Sequence, residues 1–178
     1  GEAVRYRIAD DVSHLDMLAG AAERALQHAG ITPDDVDLVL GASAAGIQPI
    51  PCTAALVWER LTRAGHAAAF DVNSTCTSFI TAVDVASRYL EDGDHETVLV
   101  FSGDVGTRFL NPAQQESYEL FSDAAVAVVL RRPAERGRGV VASLQQTWPA
   151  HAHDTELRGG LSHAPAQQYA AADPADYL

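Results

Sequence analysis

Two kinds of apolar spacing alternate along the chain, and together they predict helices packed on a sheet. Apolar residues recur every three to four positions from Leu15 to Ala29 and from Ala54 to Leu61, which is the pattern of amphipathic helices. Short continuous apolar runs separate these segments, and such runs are typical of buried strands. The sequence therefore predicts strands over residues 36–42, 67–72, 97–101, 124–130 and 140–146.

Polar residues mark where the helices begin and end. Ser13 is a candidate N-cap, and Asp16 is placed to complete a capping box with it. Gly30 is expected to end this first helix, because glycine adopts the left-handed conformation at helix ends without a steric penalty. A second helix is predicted from about Thr53 to Arg63.

A third helix is predicted to follow Cys76 and to end at Gly93. Its apolar side chains cover most of its surface, namely Phe79, Val83, Ala86 and Leu90 on one stripe, with Ile80, Ala82, Val85 and Tyr89 filling much of the rest. A helix that is apolar on most sides is expected to be buried.

The order of these elements predicts the fold class. Strands that alternate with helices indicate an α/β protein with a mostly parallel sheet and helices on both faces. The short basic turn between residues 131 and 138 predicts that the last strand is antiparallel to its neighbour. We therefore expect a mixed five-stranded sheet, with ligand sites beyond the carboxyl ends of its parallel strands.

Composition excludes several classes of function. The 178 residues are 47% hydrophobic and 20% charged, which is ordinary for a globular protein. A formal net charge of −12 argues against nucleic-acid binding, which requires clustered Lys and Arg. No apolar run approaches the length of a membrane span. Only two cysteines, Cys52 and Cys76, are present, so we expect a reducing, cytoplasmic setting rather than a disulfide framework.

Cys76 is the candidate for chemistry. It follows a predicted strand and a polar turn and precedes the buried helix, so it lies near the positive end of a helix dipole. That position favours the thiolate, which is the reactive form of cysteine. The alternative is that Cys76 is a small buried hydrophobic residue, as most free cysteines are. Cys52, which follows Pro49 and Pro51 at the start of the second helix, is interpreted as structural.

Other candidate motifs are weaker. The loop Gly41 to Gly46 has Ala45 where a serine nucleophile elbow requires glycine, and its glycines are too few for a dinucleotide-binding loop. His151, His153 and Asp154 form a short tract that lacks the spacing of known zinc sites, so we predict no metal site. The histidines before this tract are predicted to lie on the surface, and His163 is assigned no role.

Several stretches together resemble the ketoacyl-acyl carrier protein synthase III branch of the thiolase superfamily. The most specific are residues 69–79, Ala-Phe-Asp-Val-Asn-Ser-Thr-Cys-Thr-Ser-Phe, which resemble the nucleophile segment, and residues 121–125, Phe-Ser-Asp-Ala-Ala. Residues 3–7, 102–104 and 111–112 match further motifs in the family's order. The resemblance extends to about Gln146.

The resemblance implies a thiolase-like fold, the first half of a five-layer αβαβα architecture that works as a homodimer. Residues 1–146 would form this N-terminal half, and residues 147–178 an irregular tail or a link toward a C-terminal half. Cys76 would be the nucleophile, with its backbone N–H as one oxyanion donor. Ile50 would reach toward the partner subunit's acyl pocket, and Phe121 would line that pocket. No cofactor is implied, because the substrate is an acyl thioester of coenzyme A or of acyl carrier protein.

The chemistry implied is acyl transfer through an acyl-cysteine, in fatty-acid, polyketide or tailoring biosynthesis. The second step would be decarboxylative condensation with a malonyl-type thioester or transfer to an alcohol or amine. An Arg that stacks on the adenine of coenzyme A in this family is replaced by Gln115 or Glu116, which favours a carrier-protein-bound donor. The family's catalytic His and Asn have no counterpart in these residues. The alternative function is a non-catalytic partner subunit of a ketosynthase heterodimer.

Overall fold

Four strands form one mixed sheet in the order β2-β1-β3-β4 in the computed structural model, which describes residues 4–108, 110–111, 113–135 and 138–156. The strands are β1 (Leu38–Gly41), β2 (Ala68–Asp71), β3 (Thr97–Asp104) and β4 (Ala124–Arg131). β1 pairs in parallel with both β2 and β3, whereas β4 is antiparallel to β3. The prediction of a mostly parallel α/β sheet is therefore confirmed.

The helices are α1 (His14–Ala29), α2 (Thr53–Leu61), α3 (Ser78–Asp92) and the short α4 (Gln115–Tyr118). Short 3₁₀ turns occur at Pro33–Asp35, Thr75–Thr77, Gly106–Arg108 and Pro149–His151. Each helix in the described part of the chain is too short or too polar to span a bilayer.

The sheet is covered on both faces. On one face, α1 and α2 pack against alternate residues of the central strands, with Leu18, Trp58, Val39, Leu99 and Phe101 all buried. On the other face α3 packs against the intervening residues, Leu38, Leu40, Val98 and Val100. Successive side chains of a strand point to opposite faces of the sheet, and residues two apart share a face. Both faces of β1 and β3 are therefore apolar.

The predicted helix ends are confirmed for α1. The Ser13 hydroxyl accepts from the Asp16 N–H at 3.0 Å, and the Asp16 carboxylate accepts from the Ser13 N–H at 3.3 Å. Gly30 ends the helix with a φ of 65°, in the left-handed region. Gly93 ends α3 in the same way, with a φ of 94°.

The predicted strand over Val140 to Gln146 is wrong. These residues are exposed and form no strand; Val141 is 91% exposed and Leu144 is 82% exposed. Their β-branched and apolar side chains favour extended backbone, but no described strand lies alongside to complete a ladder. The described sheet therefore has four strands, one fewer than the sequence predicts.

The chain divides into two compact units. The larger, residues 8–104 and 124–143, contains the sheet and helices α1 to α3. The smaller includes residues 4–7, 105–123 and 144–156 of the described chain. Within the smaller unit the Asp123 N–H donates to the Tyr6 carbonyl at 2.8 Å, and the Tyr6 N–H donates to the Ser122 hydroxyl at 3.0 Å.

Candidate active site

The carboxyl ends of the three parallel strands are joined by polar contacts. At the end of β3, the Asp104 carboxylate accepts from the N–H groups of Ala44 at 3.1 Å and Ala45 at 2.9 Å, in the loop after β1. The Ala44 carbonyl in turn accepts from the side-chain amide of Asn73, in the turn after β2, at 2.9 Å. The loops after β1, β2 and β3 therefore form one connected edge, where ligand sites of parallel sheets occur.

Cys76 lies on this edge. It occupies the middle of the 3₁₀ turn Thr75–Thr77, between the end of β2 and the start of α3, and it is exposed. Among the described residues, no backbone group accepts a hydrogen bond from the Cys76 N–H. An accessible thiol and an unused N–H on the same residue are the two groups that attack on an acyl carbonyl requires.

The residue before the cysteine has an uncommon backbone. Thr75 has a φ of 53° and is the only non-glycine with a positive φ among the described residues. L-residues seldom adopt this left-handed conformation, and β-branched residues least of all. The turn that presents Cys76 therefore contains a left-handed residue, which the predicted strand-to-helix junction does not include.

Hydroxyl groups hold this turn together. The Ser78 hydroxyl donates to the Thr75 carbonyl at 2.6 Å and accepts from the Ser74 N–H at 2.9 Å. The Thr77 hydroxyl donates to the Ser74 carbonyl at 2.8 Å, and the hydroxyls of Ser74 and Thr81 are 2.6 Å apart. One of these bonds gives a partner to the Ser74 N–H, and the others join side-chain hydroxyls to the Ser74 and Thr75 carbonyls or to each other.

Ile50 lies on the same edge of the sheet, just before α2. Its side chain is 85% exposed. The start of α2 is fixed by Asp71, the last residue of β2, whose carboxylate accepts from the N–H groups of Thr53 at 2.8 Å and Ala54 at 2.7 Å. Since Cys76 follows Asp71 in the chain, the structure places Ile50 and Cys76 at the same edge of the sheet.

Phe121 belongs to the smaller unit. It is half-buried and lies beside Gly106, where an added Cβ would be 3.5 Å from the Phe121 Cβ. Two residues later Asp123 is buried, and its carboxylate accepts from the Thr107 hydroxyl at 2.7 Å and the Thr107 N–H at 3.0 Å. The aspartate of the Phe-Ser-Asp segment therefore stabilises its own unit.

The remaining candidates of the sequence have structural partners. Cys52 is half-buried and its Sγ lies 3.8 Å from the Ala69 carbonyl oxygen, which agrees with a structural interpretation. His151 pairs with Asp154 at 2.9 Å, and His153 pairs separately with Glu156. No group of three or more metal-ligating side chains occurs among the described residues, and His163 lies outside them.

Two of the histidines predicted on the surface are half-buried. The His14 Nε2 is 2.8 Å from the carbonyl oxygen of Gly103, and the ring of His95 packs edge-on against Tyr89 with 5.0 Å between centroids. The surface prediction failed for His14 because its partner Gly103 is distant in sequence, and for His95 because its contact with Tyr89 follows no helical or strand spacing. None of these contacts joins a histidine to Cys76.

Asn73 and Ser78 are the site residues that sequence reasoning missed. Both contact Thr75, and neither was assigned a role. An Asn two residues before a turn residue is a local signal, because its side chain bonds to the N–H two positions on. The double role of Ser78 had no such signal, since it depends on the folded geometry of the turn.

Comparison with known proteins shows which family the chain is similar to. Residues 70–148 match the family model described as 3-oxoacyl-[acyl-carrier-protein] synthase III. Over 139 residues the chain is 39% identical to beta-ketoacyl-[acyl-carrier-protein] synthase III 3 of Streptomyces coelicolor, an alignment that covers 77% of this chain and 41% of that protein. The chain therefore spans less than half the length of this relative.

Solved structures are similar as well. A 3-oxoacyl-[acyl-carrier-protein] synthase III from Aquifex aeolicus superposes with a TM-score of 0.69 and 31% identity, over 74% of this chain and 42% of that one. A tetronic acid condensing enzyme superposes with a TM-score of 0.67 and 33% identity, over 75% and 44%. The matched family segment contains both Cys76 and the Phe121 to Asp123 segment.

Proposed function

Since this chain is ketoacyl-acyl carrier protein synthase III-like in both sequence and fold, we propose that it belongs to an acyltransferase that carries its acyl group on Cys76. The observation that carries the proposal is the exposed Cys76, with an unused N–H, at the carboxyl edge of the parallel strands within the matched segment.

In the proposed first step, the Cys76 thiolate attacks the carbonyl carbon of an acyl thioester. A new C–S bond forms to Cys76 while the C–S bond to the carrier breaks, and the released carrier thiolate takes up a proton. The Cys76 N–H donates to the carbonyl oxygen as negative charge develops on it. Splitting the reaction at an acyl-cysteine allows the donor to leave before the acceptor binds.

For the second step we propose decarboxylative condensation. A malonyl-type thioester loses CO₂ and its carbanion attacks the acyl carbon. A C–C bond forms while the C–S bond to Cys76 breaks, which returns the Cys76 thiolate. The name of the tetronic acid condensing enzyme supports this choice over transfer to an alcohol or amine. The family resemblance assigns the step to a His and an Asn that have no matching positions in residues 1–178, so residues beyond this stretch would supply them.

We propose acyl carrier protein as the donor's carrier. The family's adenine-stacking Arg is replaced by Gln115 or Glu116, both exposed in the short helix α4. The Gln115 side chain bonds instead to Glu119 at 2.8 Å. Neither replacement offers the cation that stacks on an adenine ring. We further propose a homodimer, in which the exposed side chain of Ile50 meets the partner's acyl pocket.

Mass spectrometry with isotope-labelled substrate tests this proposal. The full natural chain is incubated with acyl thioesters of both carriers, and then with malonyl thioester labelled at its free carboxyl. We expect an acyl adduct, more from the carrier-protein donor, followed by labelled CO₂ and loss of the adduct. An adduct that is consumed only by an alcohol or amine would replace condensation with transfer. Failure of every donor to form an adduct would favour the non-catalytic partner subunit.

A further inference from the structure

We propose that Asn73 and Ser78 are positioning residues that set the direction of Cys76 by holding both backbone groups of Thr75. This inference rests on the proposed acyl transfer and identifies which residues prepare the nucleophile for it. Thr75 is the residue directly before Cys76, so its backbone angles decide where the Cys76 N–H and side chain point.

Asn73 holds the amide side of Thr75. Its side-chain oxygen accepts from the Thr75 N–H at 3.0 Å, while its side-chain nitrogen donates to the Ala44 carbonyl at 2.9 Å. The Ala44 N–H is fixed in turn by the Asp104 carboxylate at the end of β3. Asn73 therefore ties the turn after β2 to the loop after β1 and, through Asp104, to the end of β3.

Ser78 holds the carbonyl side of Thr75. Its side chain is 1% exposed, and its one oxygen both donates to the Thr75 carbonyl and accepts from the Ser74 N–H. A buried hydroxyl that makes two hydrogen bonds has little freedom to rotate away. The start of α3 thus fixes the two peptide groups on either side of the Ser74–Thr75 bond.

The left-handed backbone of Thr75 explains why two such contacts are present. An L-residue with a branched Cβ leaves a φ of 53° unless its surroundings maintain it. With either contact removed, Thr75 is expected to relax toward negative φ, which would rotate the following peptide. The Cys76 N–H would then no longer point at the oxygen of an acyl group attacked by its own thiol.

The test compares two reactions of the same thiol. Acylation by a thioester requires both the thiol and the aligned N–H, whereas alkylation by iodoacetamide requires only an accessible thiolate. Rate constants for both are measured in the full natural chain for the wild type, Ser78→Ala, Asn73→Ala and Asn73→Ser. Ser87→Ala is the matched control, because the Ser87 hydroxyl makes an equivalent bond within α3, to the Asp84 carbonyl at 2.7 Å.

We expect Ser78→Ala and Asn73→Ala to slow acylation by about ten- to a hundredfold, the effect of a small misplacement of a reacting group, with alkylation within about threefold of wild type. Ser87→Ala should acylate at the wild-type rate. Asn73→Ser keeps an oxygen within reach of the N–H two residues on and should recover part of the loss.

The outcomes separate this inference from the proposed function. If the wild type acylates and the Ser78 and Asn73 variants acylate equally fast, the positioning role is wrong and the nucleophile stands. If both reactions slow together in the Asn73 variants, the residue affects thiol access or folding and the positioning role is again wrong. If the wild type forms no acyl adduct, the proposed function falls and this inference falls with it.

Discussion

The contact between Gly41 and Asp71 gives the sharpest prediction about stability. A Cβ built on Gly41 would lie 2.3 Å from Asp71 Oδ1 and 3.1 Å from the Phe101 ring. The Asp71 carboxylate cannot move away without losing hydrogen bonds, because it accepts from the first N–H groups of α2, at Thr53 and Ala54. Gly41→Ala is therefore expected to push the carboxylate off α2 and to remove the cap of that helix.

The expected cost follows from the bonds that are lost. Asp71 caps α2 in place of the N-cap residue Cys52, whose side chain makes no capping bond. Loss of such a cap costs about 1–2 kcal/mol, so Asp71→Ala should lower the free energy of unfolding by that amount. Gly41→Ala should cost about 2–3 kcal/mol, since the Phe101 ring must also shift.

The two substitutions should not add. Once Asp71→Ala has removed the carboxylate, Gly41→Ala meets only the Phe101 ring, so the double variant should be about 1–2 kcal/mol more stable than the sum of the single changes implies. The assay is urea unfolding of the four proteins of the cycle, followed by circular dichroism. Gly20→Ala is the control, because its nearest new contact is the end of the Arg24 side chain at 3.5 Å, and it should add to Asp71→Ala without coupling. Strict additivity of Gly41→Ala and Asp71→Ala would refute the clash.

Three further predictions concern other elements. The hydrogen bond from the Ser13 hydroxyl is the main cause that lowers the pKa of Asp16 below 3.8. The ionised Asp16 therefore stabilises the fold above about pH 4, and this stabilisation is lost as the pH falls through the lowered pKa. Asp16→Asn should flatten this acid loss in pH-dependent thermal unfolding. Arg132 donates to the carbonyls of Leu90, Gly93 and His95 at the end of α3, so Arg132→Gln should cost about 1–3 kcal/mol in urea unfolding, and a cost near zero would contradict this capping role. Gln115→Arg should lower the KM for coenzyme A thioesters by roughly two- to thirtyfold, with the carrier-protein KM unchanged, if the adenine lies at this position.

Local signals made the helices predictable. The capping box at Ser13 and the left-handed glycine at Gly30 depend on residues within one helical turn of each other, so they are visible in the sequence. The strands β1 and β3 were predictable because both of their faces are covered and their apolar runs are continuous, whereas Ala68 and Asp71 of β2 are exposed. The position of Cys76 followed from the order of these elements.

Contacts between separate elements were not predictable. Asp71 caps a helix that begins eighteen residues before it, and Asp104 holds a loop that lies sixty residues away in sequence. The strand predicted at 140–146 failed for the related reason that a strand forms only where another strand completes its ladder. Such features depend on which elements become neighbours, which periodicity does not reveal.

The central claim is that Cys76 carries the acyl group, and peptide mapping tests it most directly. The full natural chain is incubated with an acyl thioester of acyl carrier protein, digested, and analysed by tandem mass spectrometry beside Cys76→Ala and Cys52→Ala. We predict the acyl mass on the peptide that contains Cys76 in the wild type and in Cys52→Ala, and no adduct in Cys76→Ala. An acyl adduct that persists in Cys76→Ala would contradict the assignment.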